Sequence, residues 1–578
     1  MFPVYRNLVS LSAALCVCAF LAVACVFPKE AVARTNAQTN TQKTAQTQAS
    51  SADPTDMPVL APVVGVDWAA PTDFQEAGGD LFEIAEVGFS AVRTSPVYDQ
   101  GFYTLADSLG LTIYTELPYV SLSGRQLVDS LAVADSLLDL ILSVGVGHAS
   151  AGPIGIARLS DTSSSRACEA ISASTRKINA VGRQAYYTTR FSQDDQCLSS
   201  VDFVLLDVLG EHDPSEVVSF LMASKGPITG LSGVGYAVEP STPPGWINQG
   251  SIDAQARFME TVLNEVDASS ASHVFLHRWR DIEQEGGRAV DPWNRDFGLY
   301  TAESDPRPAL QVIRGHLLGI QTTFAFDRGA PPSGAFPWYL LLGWVLLALT
   351  SIMYAGSPRF RSMIPRYFFA HGFFRNAVRE AREVLPLTST AILTVTGLSI
   401  GMIGSLVVVG IKDTEVVVHL IRQLSPANHR SLTSIVEAPF VLTVLLGSAA
   451  LLSSSVWMAC WMIVSGRRSP LLPSQALMLA AWPRWQVLFL LPVAMTLAAT
   501  PDVPLWSILL LGLGWITTAY WATIRTAFDL FKISSISTPA AVLVWLLNPL
   551  SLGAIFVLGW MVLHFDRMVF IWHLMIRS

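Results

Sequence analysis

From Pro337 onward the chain is dominated by apolar runs of bilayer length, a pattern that commits this half to lipid rather than to a water-soluble core. Pro337–Ala355, Leu385–Ile411, Ala438–Val464, Trp485–Thr500, Pro504–Ile524 and Thr538–His564 each suffice to cross roughly 30 Å of hydrocarbon, Trp485–Thr500 being the weakest. They predict an all-α transmembrane bundle of about six helices over 337–564, with a short tail at 565–578. Behind the first run stand Arg359, Arg361, Arg366, Arg375, Arg379 and Arg382; Arg467, Arg468 and Arg484, then Arg525 and Lys532, fall on the same side. The opposite connections carry only Lys412, Arg422 and Arg430, partly offset by Asp413, Glu415 and Glu437. That bias puts the first set inside and everything before Pro337 outside. Few ionisable residues lie within the runs, so no proton relay or ion path is legible. The Arg- and Phe-rich segment Arg359–Val384 reads equally as an interfacial helix on anionic lipid or as a basic linker turn.

The N-terminal end agrees with export. Arg6 precedes an apolar stretch from Leu8 to Phe27, as in a secretory leader spanning 1–33. Cleavage after Ala33 is favoured over a lipoprotein-type site at Cys25 and over an uncleaved anchor. Residues 34–56 are Thr, Gln, Ala and Ser with little to bury, a disordered tether. Between Met57 and Ala330 about 34 acids face about 17 bases; beyond Pro331 about 8 acids face about 16 bases. An acidic domain of this kind is no partner for nucleic acid. Only Cys168 and Cys197 lie in the exported part, either bridged or as two free thiols. His148, His212, His273 and His277 show no metal-ligand spacing, so neither metal nor cofactor is expected.

Residues 57–319 alternate short apolar runs with helical stretches, ahead of a linker at 320–336. Strands are expected at Val63–Trp68, Ala91–Val97, Thr112–Tyr119, Ile154–Leu159, Gln184–Phe191, Val201–Leu209, Pro227–Val238 and His273–Arg280. Helices fall between them, among them Arg125–Val144, Ser164–Ala180, Pro214–Ala223 and Ile252–Val266. Eight strands over this length suit an α/β fold of the (β/α)8 TIM-barrel type, although a doubly wound open sheet alternates the same way.

The run AVRTSPVYDQGFYTLADSLGLTIYTELPY (Ala91–Tyr119) resembles the second and third barrel strands of family 2 glycoside hydrolases, through Arg93, Asp107, Gly110 and Glu116. VDFVLLDVLG looks like that family's sixth strand, with Asp207 where Asn is usual. QARFMETVLNEV before HVFLHRWRDIEQ, and then FGLYTAESDPRPALQVIR, are similar to its seventh helix, eighth strand and closing segment. The resemblance runs over roughly 60–318 and implies a glycosidase barrel without the β-sandwich domains that usually precede it. The helices behind Arg359–Val384 look faintly like Yip1-type membrane domains.

Retaining glycosidases use two carboxylates about 5–5.5 Å apart. The resemblance places the acid/base near Asp161, a shortened stand-in, and the nucleophile near Ser232, where no carboxylate stands; Glu239 comes several residues too late. Asp161 with Asp207 or Glu116 is the remaining catalytic candidate set, with Asp67, Trp68, Arg93 and Trp279 as substrate-binding candidates at strand ends. Each also has a plain structural role open to it: Glu116 paired with Arg93, Asp281 with Arg278 or Arg280, the tryptophans in the core. Three functions follow: a membrane-tethered hydrolase of extracytoplasmic O-glycosides, an inactive carbohydrate-binding or sensing barrel coupled to the bundle, and an export component with an accessory domain. The partners expected are a carbohydrate, the lipid bilayer and an unidentified membrane protein.

Overall fold

The computed structural model describes residues 62–577 except 72, 191–194, 211–227, 240–241, 268, 270, 282–295, 331–336, 423–431, 466–470, 501–502 and 535–536. The leader with its sites at Ala33 and Cys25, the tether, the helix expected at Pro214–Ala223, and Arg430, Arg467 and Arg468 lie outside the described residues.

Eight strands pair in parallel in chain order: β1 (Val63–Asp67), β2 (Ala91–Thr94), β3 (Thr112–Glu116), β4 (Ala151–Arg158), β5 (Ala185–Thr189), β6 (Phe203–Asp207), β7 (Ile228–Val234) and β8 (His273–Leu276). The ring closes where Val63 of β1 registers with His273 of β8, so the open doubly wound alternative is excluded. Inward side chains fill the ring in layers. His273 stacks on Phe203 with centroids 4.6 Å apart, and Tyr114, Tyr186 and Phe275 occupy the middle. Gly65 makes room for them: a Cβ there would sit 2.5 Å from the Phe275 ring. One step further along, Asp67, Glu116 and Asp207 end their strands at the C-terminal rim, with Arg93 one residue before the end of β2.

The surrounding helices are α1 (Phe74–Val87), α2 (Gln100–Leu109), α3 (Gly124–Val133), α4 (Asp135–Val144), α5 (Ser165–Asn179), α6 (Ile252–Asp267) and α7 (Pro308–Leu317). Asp73, Asp99, Ser123 and Ser164 accept from backbone N–H groups at four helix starts, which fixes where each βα loop ends. The single helix expected at Arg125–Val144 is two: it breaks at Ala134, and each half buries its own stripe, Leu127 with Leu131 and then Leu138 with Ile141. Cys168 and Cys197 are bridged.

The second half is helical: α8 (Trp338–Gly356), α9 (Pro358–Phe369), α10 (His371–Arg379), α11 (Pro386–Ile411), α12 (Glu415–Arg422), α13 (Pro439–Ser465), α14 (Pro473–Ala481), α15 (Leu491–Ala499), α16 (Leu505–Ser534), α17 (Thr538–Leu546), α18 (Pro549–Leu563) and α19 (Phe565–Arg577). Among the described residues five stretches are long and apolar enough to cross a membrane: α8, α11, α13, α16 and Pro473–Ala499. A sixth exists only if α17 and α18 count together, because they bend by 74° at their junction. Asn548 caps α18 there and Pro549 opens it, so the α17 ladder cannot continue through. The weakest expected span, Trp485–Thr500, belongs to the longer stretch from Pro473, which passes through a 3-10 segment, Trp482–Leu490. On the Arg-rich connection, α9 and α10 bury Phe360, Met363, Tyr367, Phe374 and Val378 and expose Phe368, Phe369 and Phe373. His371 holds this hairpin to the bundle, its Nε2 2.8 Å from both carboxylate oxygens of Asp529 on α16.

The expected tail is α19. Its Phe570 packs edge-on against His419 of α12, with centroids 4.9 Å apart. Asp566 accepts a 3.1 Å hydrogen bond from Ser123 of the barrel. The barrel thus meets the bundle with its C-terminal rim.

Candidate ligand site at the barrel mouth

The strand tips assemble a ring of charge. The Arg93 guanidinium grips Asp67 through Nε–Oδ1 at 2.5 Å and Nη2–Oδ2 at 2.6 Å, in the fork geometry that suits a carboxylate. The two residues are register partners across β1 and β2. Arg93 also donates to the Ser232 hydroxyl and approaches Glu116 at 3.6 Å. Across the barrel, Arg158 donates to Asp207 at 3.1 Å and lies within 4.0 Å of Asp67 and Glu116. His277 Nδ1 is 2.7 Å from Asp67 Oδ2. The Arg93 side chain is 1% exposed and that of Asp207 0%.

Burial alone would raise the carboxyl of Asp67, yet Arg93, His277 and Arg158 hold it well below the usual carboxylate range. Asp207 is treated alike: burial raises it, and Arg158, Arg190 and Arg93 together bring it below its ordinary value. Burial pushes His277 down to about 4 despite Asp67, so its imidazole is neutral at pH 7. Both aspartates are therefore fixed as anions, the wrong state for a general acid.

The other sequence candidates fall as follows. Trp68 is packed against Phe102 and its indole N–H donates to Asp80 at 2.9 Å. Trp279 is fully buried between Phe89 and Tyr300, so neither ring presents a face to a sugar. Asp281 pairs with Arg307 at 2.5 Å and more distantly with Arg278, while Arg280 turns to Asp80 and Glu76. Glu239 is exposed on the loop beyond β7. Ser232, two residues before the end of β7, registers with Asp207 and brings no carboxylate.

Asp161 stands apart from the ring. Its carboxylate accepts from Ser163 Oγ at 2.6 Å, Ser163 N at 3.1 Å and Gly124 N at 3.3 Å. It faces a cavity of about 770 Å³ between the loops after β3, β4 and β5 and the helix α19. Asp195, Arg125, Ser164 and Gln196 line it from the barrel, and Phe565, Asp566, Val569 and His573 from α19. Burial raises the Asp195 carboxyl above its ordinary value. Of the sequence candidates only Asp161 borders this space; Asp67, Glu116, Asp207 and Arg93 do not. Arg158, Arg190 and His277 were not legible as site residues, since only the folded ring brings them to Asp67 and Asp207 on other strands. Among the described residues no group of His, Cys, Asp and Glu could hold a metal ion.

No family model matches the chain, and no curated protein matches it. Solved structures do. A family GH2 β-galacturonidase from Eisenbergiella tayi, bound to galacturonate, aligns at 16% identity over 46% of this chain and 52% of its own, with a TM-score of 0.40. A β-glucuronidase from an uncultured Clostridium species aligns at 16% over 45% and 50%, TM-score 0.39. One from Ruminococcus gnavus, in complex with D-glucaro 1,5-lactone, aligns at 14% over 44% and 50%, TM-score 0.39. The chain spans about half the length of the solved structures it matches.

Proposed function

We propose that this chain is a membrane-embedded, carbohydrate-binding barrel that does not hydrolyse glycosides, held outside the cell membrane with its mouth turned towards its own helical bundle. One observation carries the reading. At the barrel centre Asp67 is gripped by Arg93 and Asp207 by Arg158, Glu116 lies 3.6 Å from Arg93, and β7 carries Ser232, not a carboxylate, in register with Asp207. A retaining glycosidase needs one free nucleophilic carboxylate and one protonated partner. Asp67 and Asp207 offer neither, which leaves Glu116 without a carboxylate partner for the two-step chemistry. The carbohydrate class is supported by the succession of family 2-like residues from Arg93 to Arg314 and by a ring that closes as that resemblance implies. Placement outside is supported by the leader-like N-terminal segment, the Cys168–Cys197 bridge and the Arg-rich connections on the far side of the bundle.

The test uses the intact chain in phosphatidylcholine nanodiscs with a panel of nitrophenyl glycosides. No turnover is expected, while calorimetry with simple sugars registers saturable binding. Turnover that disappears in Asp161→Asn would replace this reading with the tethered hydrolase.

A further inference from the structure

The cavity beside the barrel axis is walled by two parts of the chain more than 360 residues apart, from Gln196 to Phe565. Its barrel wall is polar: Asp161, Asp195, Ser163, Ser164, Gln196 and Arg125. Its α19 wall alternates Phe565 and Val569 with Asp566 and His573, residues spaced three and four apart on one helix face. A mostly polar wall opposite a partly apolar one is the lining that suits a sugar, whose hydroxyls radiate from a ring with apolar C–H faces. About 770 Å³ lies within the range of small-molecule sites, ample for one or two sugar units.

We infer that this cavity, rather than the centre of the barrel, is the ligand site, and that it takes a neutral or amine-bearing sugar unit and rejects sugar acids. The inference rests on the carbohydrate reading above and assigns it a place and a class. Two carboxylates, Asp161 and Asp566, border the space with one guanidinium and the His573 imidazole, and Asp195 lies largely buried behind them, so hydroxyl and ammonium donors find acceptors. A uronate would bring a further carboxylate against Asp161 and Asp566. Like charges at close quarters disfavour it. The central network offers a ligand less, because Arg93 is held by Asp67 and Arg158 by Asp207.

The location has a consequence for coupling. α19 follows α18 after a single residue, His564, and Asp566 both borders the cavity and accepts from Ser123 of the barrel. A ligand held between the two walls therefore bridges the barrel to the last apolar helix pair. Occupancy should stiffen that junction.

The experiment is calorimetric titration of the intact chain in phosphatidylcholine nanodiscs with glucose, N-acetylglucosamine, glucosamine and glucuronate. At least one of the first three should bind at least ten times more tightly than glucuronate. Asp161→Asn should weaken that binding about tenfold, the loss of a charged acceptor. Val569→Trp, which fills the space from α19, should abolish it while the thermal unfolding of the barrel stays unchanged. Binding that ignores both substitutions would overturn the assigned place and leave the carbohydrate reading standing. Glucuronate binding best would overturn the assigned class. If none of the four sugars binds, the carbohydrate reading itself falls.

Discussion

Arg158 and Asp161 are three residues apart at the end of one strand, yet they belong to opposite kinds of surroundings. Arg158 points into a ring of opposite charges with Arg93, Asp67, Glu116 and Asp207. Asp161 lies just beyond, hydrogen-bonded to Ser163 and Gly124 but bordering open space. The difference teaches where chemistry remains available. A buried charge that is fully paired holds the barrel top together and cannot also serve a ligand, whereas a carboxylate held by neutral donors keeps acceptor capacity for one.

The comparison breaks most directly at Arg93. Arg93→Met leaves Asp67 ionised, buried and without its fork, and breaking such a pair from one side costs about 3–5 kcal/mol. Asp161→Asn removes a charge from hydrogen bonds that an amide partly replaces, so about 1 kcal/mol is expected. Denaturant unfolding of the two variants, followed by barrel circular dichroism, should separate them clearly. Equal losses would mean that the ring is no more structural than the rim.

The acid limb of stability sharpens the same contrast. His277 falls from an ordinary 6.5 to about 4 in the folded state, so between those values the unfolded chain binds a proton that the folded chain refuses. Its contribution is complete above about pH 6.5 and is lost as the pH falls towards 4, about 3 kcal/mol for a group this buried. His273, lowered likewise to about 4 by burial, adds to the same window. Asp67 and Asp207, both depressed, keep their contribution until the pH drops below the ordinary carboxylate range. His277→Gln should flatten the pH 4–6.5 slope by the His277 share; an unchanged slope would show that this imidazole does not titrate with unfolding.

Much of the barrel was legible because its signal is local. Each strand carries its own short apolar run, and caps such as Asp73, Asp99 and Ser164 mark where helices resume. The Arg93–Glu116 pairing was open to expectation because β2 and β3 are consecutive. The Asp67–His277 contact joins β1 to the residue after β8, 210 positions away, and exists only once the ring closes. The cavity was less legible still: one of its walls is α19, which reads as a short tail because a 13-residue amphipathic helix is too short and too polar to cross a bilayer. The bend at Asn548–Pro549 was hidden inside what composition presents as one apolar run. Periodicity sees elements; it does not see which distant elements share a wall.

The smallest effect expected lies where the two regions join. Arg190 touches Asp207 at 3.7 Å on its inner side and Glu415 of α12 at 2.6 Å on its outer side, so one guanidinium links the ring to the bundle. Arg190 and Glu415 are each about a quarter exposed, where solvent discounts an ion pair to about 0.5–1 kcal/mol. Glu415→Gln leaves Arg190 its contacts with Asp207 and the Leu209 carbonyl, so the barrel itself should melt where it did before. What should change is docking: amide exchange in the loops after β5 and β6 should quicken a few-fold, with β1–β3 unaffected. Unchanged exchange in those loops would place the pair among surface contacts of no consequence. Faster exchange throughout the barrel would say the reverse, that the bundle props up the ring and that centre and rim are one cooperative unit.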